Sequence, residues 1–314
     1  ASNNTAVGNN ALTANTTGVD NVAVGSLALD ACTTGSYNTA LGRQALTGNT
    51  TASNNIGIGY YSLAVNTTGA SNVSVGNRAL SANTTASNNV AIGQDALYAN
   101  TTGTRNIAVG GTALDANTTA NDNIAIGYAA LGVNTTGHSN TSIGTYSLDA
   151  NTTASNNVAV GKYTLSSNTT GTRNTALGSE SLAANTTASS NTAVGYQALN
   201  ANTTSGSAVA VGDGALKSQT TGSLNVAVGA AALTTLTSGT NNVAMGFAAL
   251  QLNTTASNNV AIGYAALNAN TTGTENTAVG ANAADAVTTG SYNTAMGYHA
   301  LSAATTGQRN VAIG

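Results

Sequence analysis

The 314-residue sequence is almost uncharged, with 7 Lys and Arg, 10 Asp and Glu and a formal net charge of −3 at pH 7. Charged residues make up 5% of the chain, against roughly 25% in typical soluble domains. This balance excludes a nucleic-acid-binding protein, which needs clustered Lys and Arg. No apolar run is long enough for a spanning helix, so no membrane insertion is expected in this segment. The single cysteine, Cys32, excludes an intrachain disulfide framework and a cysteine-based zinc site.

One 17-residue repeat organises the whole sequence. Each unit reads Asn-Val-Ala-Val-Gly, two variable residues, Ala-Leu, two variable residues, Asn-Thr-Thr-Gly and two further variable residues. Eighteen full units run from Asn4 without insertion or deletion, and a partial unit occupies residues 310–314. We number the positions of each unit 1 to 17 from its first asparagine. The pattern predicts a single repeat array over residues 1–314, taken from a longer chain.

Four positions of the unit are nearly invariant and are predicted to build its structure. The glycine at position 5 indicates a positive φ or no room for a Cβ atom. The leucine at position 9 is predicted to fill the core, and stacked asparagines at position 1 to hydrogen-bond to one another. Threonine at position 13 is expected to form a second ladder. Examples are Gly8, Gly25, Gly42, Leu12, Leu29, Asn21, Asn38, Thr16 and Thr33.

The repeat predicts an all-β fold, a β-solenoid of about 18 coils of β-roll or β-helix type. Seventeen residues are too few for a helix-pair repeat, and β-branched residues at positions 2 and 4 alternate with a small residue at position 3. We expect a strand of about five residues, a turn at the glycine, a second short strand through Ala-Leu and a corner at Thr-Thr-Gly. Positions 2 and 4 are predicted to face the core.

Position 3 then faces outward, because neighbouring residues of a strand point to opposite sides. It is always Ala, Gly or Ser and never charged, which indicates close contact with another surface. The sequence therefore predicts lateral self-association, as a homotrimer or a filament. The interchain contacts would include Ala6, Ala23, Ala91 and Ala125.

All charged and aromatic residues fall at positions 6, 7, 10 and 17, so these positions are predicted to face solvent. Tyrosines at positions 6 and 7 would form an exposed ridge that binds a surface glycan or a host receptor; equally, tyrosine suits an exposed strand end. The predicted ridge contains Tyr60, Tyr61, Tyr128, Tyr196, Tyr264 and Tyr298.

No arrangement of residues predicts catalysis, a cofactor or a bound metal. The two histidines, His138 and His299, lie ten units apart, and catalysis needs convergent titratable groups. The recurring Asn-Thr-Thr is formally a glycosylation acceptor. Apolar replacements at its asparagine position, such as Leu236 and Val287, instead favour a buried ladder.

The sequence resembles two kinds of repeat array. The run over residues 4–18, Asn-Thr-Ala-Val-Gly-x-x-Ala-Leu-x-x-Asn-Thr-Thr-Gly, is similar to repeats of phage and viral tail fibres. The Val-Ala-Ile-Gly-x-x-Ala cores at Val90–Ala96 and Val260–Ala266 resemble the head repeats of trimeric autotransporter adhesins, whose period is shorter. The resemblance covers essentially the whole chain and implies trimeric β-rolls or β-helices in an extended surface fibre.

The predicted function is therefore non-enzymatic: the structural shaft or head of an extracellular fibre or adhesin, on a cell or virion surface. Stiff repetitive coils would hold a binding tip away from that surface. The alternative is an ice-binding β-solenoid that uses threonine columns at positions 13 and 14. Only one of the two columns can point outward, because the residues are adjacent.

Overall fold

The computed structural model describes residues 1–314, which divide into two compact units, residues 1–156 and 157–314. Both units consist of short strands and turns without helices. The first unit contains β1 (Thr5–Val7), β2 (Val22–Val24), β3 (Thr39–Leu41), β4 (Ile56–Ile58), β5 (Val73–Val75), β6 (Val90–Ile92), β7 (Ile107–Val109), β8 (Ile124–Ile126) and β9 (Thr141–Ile143). The second contains β10 (Val158–Val160), β11 (Thr175–Leu177), β12 (Thr192–Val194), β13 (Val209–Val211), β14 (Val226–Val228), β15 (Val243–Met245), β16 (Val260–Ile262), β17 (Thr277–Val279), β18 (Thr294–Met296) and β19 (Val311–Ile313).

Within each unit, every strand pairs in parallel with the strand one repeat further along the chain. Ala108 pairs with Ala125 in the first unit, and Ala210 pairs with Ala227 in the second, both at an offset of one 17-residue repeat. Like residues therefore stack on like residues. This register confirms the predicted all-β solenoid fold with its 17-residue coil.

The glycine at position 5 ends each strand, and both predicted reasons for it hold. Gly127 has a φ of +131°, and a Cβ atom on it would lie 2.7 Å from the carbonyl carbon and oxygen of Gly144 in the next coil. Residues other than glycine rarely adopt this φ, and the backbones of successive coils leave no space for a Cβ atom. The glycine column thus sets the close stacking of the coils.

The second short strand predicted through Ala-Leu is wrong, because the leucine at position 9 has left-handed backbone geometry. Leu131, for example, has a φ of 53° and is fully buried. Left-handed geometry costs roughly 1–2 kcal/mol for such a residue, whereas burying a leucine side chain contributes about 1.5–3 kcal/mol. Burial outweighs the strain, so the chain turns inward at this leucine instead of continuing as a strand.

The predicted orientation of the strand is also wrong, and with it the proposed contact residues. Ala23, Ala91 and Ala125 are 0% exposed and lie inside the coil of their own chain, so they cannot touch another chain; only Ala6, in β1, is exposed. Position 3 is small because it packs against the core leucine: a Cβ atom on Gly57 would lie 3.0 Å from Leu46 Cγ.

The β-branched residues at positions 2 and 4 consequently point outward. Ile92 and Ile126 are 39% and 38% exposed, and Leu41 is 46% exposed. We call the side chains at positions 2 and 4 the strand face. In the first unit, 15 of its 18 residues are Val, Ile or Leu, and the others are Thr.

Two buried asparagine ladders hold successive coils together, as predicted. At position 1, Asn38 donates its backbone N–H and its side-chain Nδ2 to Asn21 Oδ1, at 2.9 and 3.1 Å, and Nδ2 also donates to the Ala52 carbonyl at 2.9 Å. At position 12, Asn83 Nδ2 donates to Asn66 Oδ1 at 2.8 Å and to the Ala86 carbonyl at 3.0 Å. Burial of such amides is tolerated because their amide nitrogens are hydrogen-bonded.

The Asn-Thr-Thr asparagines are therefore structural in the folded chain. Asn66 and Asn83 are 0% exposed, and their amide nitrogens are engaged in the ladder. Glycosylation needs an accessible asparagine, so the buried-ladder interpretation is confirmed.

One interruption of the position-1 ladder is compensated by its neighbours. Ala208 lacks the amide that would have bonded to the next coil. Ser205 Oγ donates to the Gly222 carbonyl, and Gln219 Oε1 accepts from Asn225 Nδ2 at 2.9 Å. Gln219 Nε2 in turn donates to Ser205 Oγ at 3.0 Å. Ser205 and Gln219 thus supply hydrogen bonds that the asparagine at position 1 makes in other coils. These bonds matter because a buried polar group without a partner is destabilising.

Candidate recognition surface

Of the four positions predicted to face solvent, 6, 7 and 17 carry most of the exposed aromatic side chains, whereas charged residues at position 10, such as Asp149, are half-buried. Of the predicted ridge, Tyr60, Tyr128, Tyr196, Tyr264 and Tyr298 are 43–71% exposed, and Tyr61 is half-buried. Tyr61 has left-handed backbone geometry, with a φ of 57°, which folds its ring back beside Tyr60. The turn geometry therefore exposes the aromatic rings, while the backbone of these residues stays within the stacked coils.

The aromatic residues form separate clusters. In the first unit, the rings of Tyr60 and Tyr61 meet edge to face at 4.9 Å, and those of Tyr128 and Tyr146 at 5.5 Å. In the second unit, the ring of Phe247 stacks on that of Tyr264 at 5.6 Å. Edge-to-face and offset stacked pairs are the favoured aromatic arrangements, so each cluster is a preformed apolar surface with hydroxyl groups at its edge.

The first cluster borders a cavity of about 550 Å³ that spans three successive coils. This volume lies within the range of roughly 300–1,000 Å³ that is usual for ligand sites. We call it the tyrosine cavity. Its lining consists of Tyr60, Tyr61, Val65, Arg78, Ser81, Ala82 and Tyr98.

Arg78 is the charged residue of the tyrosine cavity. Its Nε and Nη2 donate to the two carboxylate oxygens of Asp95 at 2.8 and 2.9 Å, and its guanidinium lies 5.1 Å from the centre of the Tyr98 ring. The hydrogen bonds to Asp95 raise the pKa of Arg78 above its ordinary value, so it stays charged. Because the Arg78 side chain is exposed, the pair contributes little to folding stability; its effect is to fix the guanidinium in place.

The predicted ridge did not include Tyr98, which completes this cavity. Tyr98 occupies position 10, and the ridge was restricted to positions 6 and 7. In the structure, Ser81 and Ala82 at positions 10 and 11 of the middle coil form a floor between Tyr61 and Tyr98. In the sequence, the small residues Ser81 and Ala82 are flanked by tyrosines in the preceding and the following coil. This arrangement can be recognised only when the units are aligned as stacked coils.

The two threonine columns differ in their environment. At position 13, hydroxyls donate to the carbonyl of the matching threonine in the next coil, as from Thr84 Oγ1 to Thr101 at 3.1 Å. At position 14, threonines such as Thr85 and Thr102 are exposed. The ice-binding alternative can therefore use one column, since the hydroxyls of the other bond to the backbone.

The Asp149 carboxylate, at position 10, is half-buried, and its Oδ1 is buried without a hydrogen-bond partner. Burial raises the pKa of Asp149 above its ordinary value of 3.8, and a bond from its own backbone N–H opposes the shift. Because the folded state binds the proton more tightly, the favourable contribution is present at low pH and is lost as pH rises through the raised pKa.

We expect Asp149→Asn to stabilise the fold by about 0.5–1 kcal/mol at pH 7, less than for a fully buried group because the carboxylate is partly solvated. The gain should shrink as pH falls through the raised pKa of Asp149, because the wild-type carboxyl then becomes neutral. Urea unfolding followed by circular dichroism at several pH values measures it. Asp20→Asn, at an exposed carboxylate, is the control; an equal gain there would contradict the burial argument.

The remaining titratable residues are dispersed. His138 Nδ1 lies 3.2 Å from Ser139 Oγ on the surface, and the His299 ring meets Tyr298 edge to face at 4.2 Å. No three His, Cys, Asp or Glu side chains come close enough together to hold a metal ion. Cys32 is buried, which raises the pKa of its thiol.

Nor does the chain form any helix of the length and apolarity that crossing a bilayer requires. No protein-family model matches the sequence, and no curated protein is significantly similar to it.

Proposed function

We propose that this chain is a structural, non-enzymatic element of an extracellular fibre or adhesin, in which copies associate through the strand face. The observation that carries the proposal is the apolar strand face, whose side chains are partly exposed on successive coils of each unit. The resemblance to adhesin-head and tail-fibre repeats supports the same role on a cell or virion surface. The coils act as a scaffold for attachment groups on their turns.

The size and composition of the strand face support association. Nine coils spaced about 4.8 Å apart, each with three strand residues of about 3.3 Å, give the first unit a face of roughly 400 Å². The largest apolar patch on a typical monomer measures about 300–600 Å² and is often functional. This face has no charged residue, so nothing on it opposes removal from water.

A second copy of the same chain is the partner that fits this face. Its side chains repeat once per coil, and another copy offers the same spacing and the same mixture of Val, Ile, Leu and Thr. Repeated contacts add along the face, so that individually weak contacts produce stable association. Homotrimers and lateral filaments both use such contacts.

Sedimentation velocity tests the proposal, since it gives mass and frictional ratio together. We expect the wild-type chain to sediment as a multimer. The triple variant with Leu41→Lys, Ile92→Lys and Ile126→Lys should sediment with the mass of one chain. Each lysine can reach water in the single chain, whereas association would bury its charge, which is unfavourable.

The matched control carries the same added charge on the turns. Asn54→Lys, Asn88→Lys and Ser139→Lys are exposed position-17 substitutions, where arginine already occurs at Arg105, Arg173 and Arg309. This variant should keep the wild-type mass. A wild-type chain that stays monomeric at high concentration, or equal dissociation of both variants, would refute association through the strand face.

A further inference from the structure

We propose that the tyrosine cavity binds a neutral saccharide, one or two sugar rings of a glycan. The proposal deepens the attachment role proposed above and rests on it only for its biological context. The binding itself is argued from this cavity alone. None of the cavity residues belongs to the strand face, so the same chain can use both surfaces.

The cavity has the shape of a slot. Tyr61 and Tyr98 lie two coils apart, which is an axial separation of roughly 10 Å, and Ser81 and Ala82 of the coil between them supply a low floor. Val65, 45% exposed, adds an apolar wall. With a volume of about 550 Å³, the slot accommodates a flat ring with its edges toward solvent.

The aromatic lining suits the ring faces of a sugar. The face of a phenol ring carries partial negative charge, and the axial C–H groups of a pyranose carry partial positive charge. Tyrosine also places a hydroxyl at the rim, where sugar hydroxyls emerge. The phenol of Tyr61 is held by Gln44, whose Nε2 donates to Tyr61 Oη at 3.3 Å, which leaves the Tyr61 O–H as a donor toward the ligand.

The charge of the cavity selects a neutral ligand over an ionic one. Asp95 neutralises Arg78 through two hydrogen bonds, so an anion would have to displace this carboxylate. A cation would meet the guanidinium that already lies over the Tyr98 ring. The third nitrogen of Arg78, Nη1, takes no part in the bonds to Asp95 and remains a donor for an uncharged hydroxyl group of a ligand. Fixed polar groups beside aromatic faces are typical of specific small-molecule sites.

Saturation-transfer NMR with the full chain tests the proposal. The probes are lactose, cellobiose and N,N′-diacetylchitobiose at millimolar concentration, the range expected of one small exposed site. Inorganic phosphate and choline, in direct titrations, are the anionic and cationic comparisons. We expect transfer to the ring protons of at least one disaccharide and weaker binding of both ions.

Three variants test the location of the site. Tyr98→Ala should weaken binding by about tenfold or more, since aromatic anchors dominate small interfaces, whereas Tyr98→Phe should retain most of it through ring contact. Tyr264→Ala, at an aromatic pair of the second unit, is the matched control and should bind as the wild type does. Circular dichroism verifies that each variant is folded.

Three results would overturn the proposal: no saccharide of the panel binds, phosphate or choline binds more tightly than every saccharide, or Tyr98→Ala binds as the wild type does. None of them alters the sedimentation result, so failure of the saccharide site and failure of strand-face association are distinguishable.

Discussion

Replacing Gly127 by alanine is expected to destabilise the first unit by about 2–6 kcal/mol. The left-handed, glycine-specific backbone conformation contributes about 1–3 kcal/mol of strain, and forcing a methyl group into packed structure costs a similar amount. The new Cβ atom would lie 2.7 Å from the backbone of Gly144, and no side-chain rotation relieves a contact with backbone. The coils on either side would have to separate.

Urea unfolding with circular dichroism measures this loss, and hydrogen exchange locates it. Gly111→Ala is the control, because a Cβ atom there meets only the Tyr128 ring at 3.5 Å and alanine already occupies position 6 at Ala230 and Ala281. That variant should be as stable as the wild type or gain about 0.4–1 kcal/mol through the unfolded state. Equal stability of the two variants would show that the coils are not stacked as closely as the glycine column requires.

The structural features that could be predicted from the sequence are those that recur in every unit. Each unit samples the same environment, so an invariant residue such as Gly127 and the limited replacements at position 12, among them Leu236 and Val287, report directly on backbone geometry and burial. The coil length, the parallel register and both asparagine ladders follow from this within-chain comparison. Stacking identical coils leaves little freedom in register, because any shift would separate the paired amides.

The orientation of the strand was not predictable from alternation alone. Alternation shows that Ala125 and Ile126 face opposite sides, and the usual assumption assigns the larger apolar residue to the core. In this coil, the leucine at position 9 and two asparagines already fill the interior, so only a small residue fits opposite Leu131, and Ile126 is outside. Bulky residues such as leucine rarely adopt left-handed backbone geometry. The alternation pattern therefore predicts a strand at position 9, where the structure has a turn.

The tyrosine cavity illustrates a second limit. Tyr60, Tyr61 and Tyr98 occupy three different positions of their units and two different coils, so a comparison made position by position separates residues that the stacked coils bring together. A cavity formed between coils depends on the particular side chains of three successive units. Variable positions therefore carry the individual features of this chain, and invariant positions carry the fold.

Replacing Ala125 by lysine distinguishes the two possible orientations of the strand, with position 3 facing either the core or another chain. Ala125 is 0% exposed, so the ammonium group would be buried without a partner, next to alanine and serine of the adjacent coils. We expect a loss of more than about 4 kcal/mol, the range reached by buried unpaired charges. Ile126→Lys, at the neighbouring residue that is 38% exposed, should change stability by only about 1 kcal/mol.

The two lysine variants form a matched pair, one residue apart on the same strand and with the same added charge. Unfolding in urea measures the stability of each, and sedimentation velocity measures its mass. If Ala125 faced a second chain, Ala125→Lys would remain folded and only its mass would fall. If it faces its own core, as the structure has it, Ala125→Lys loses structure at any concentration, because a buried charge destabilises the monomer whether or not a partner is present.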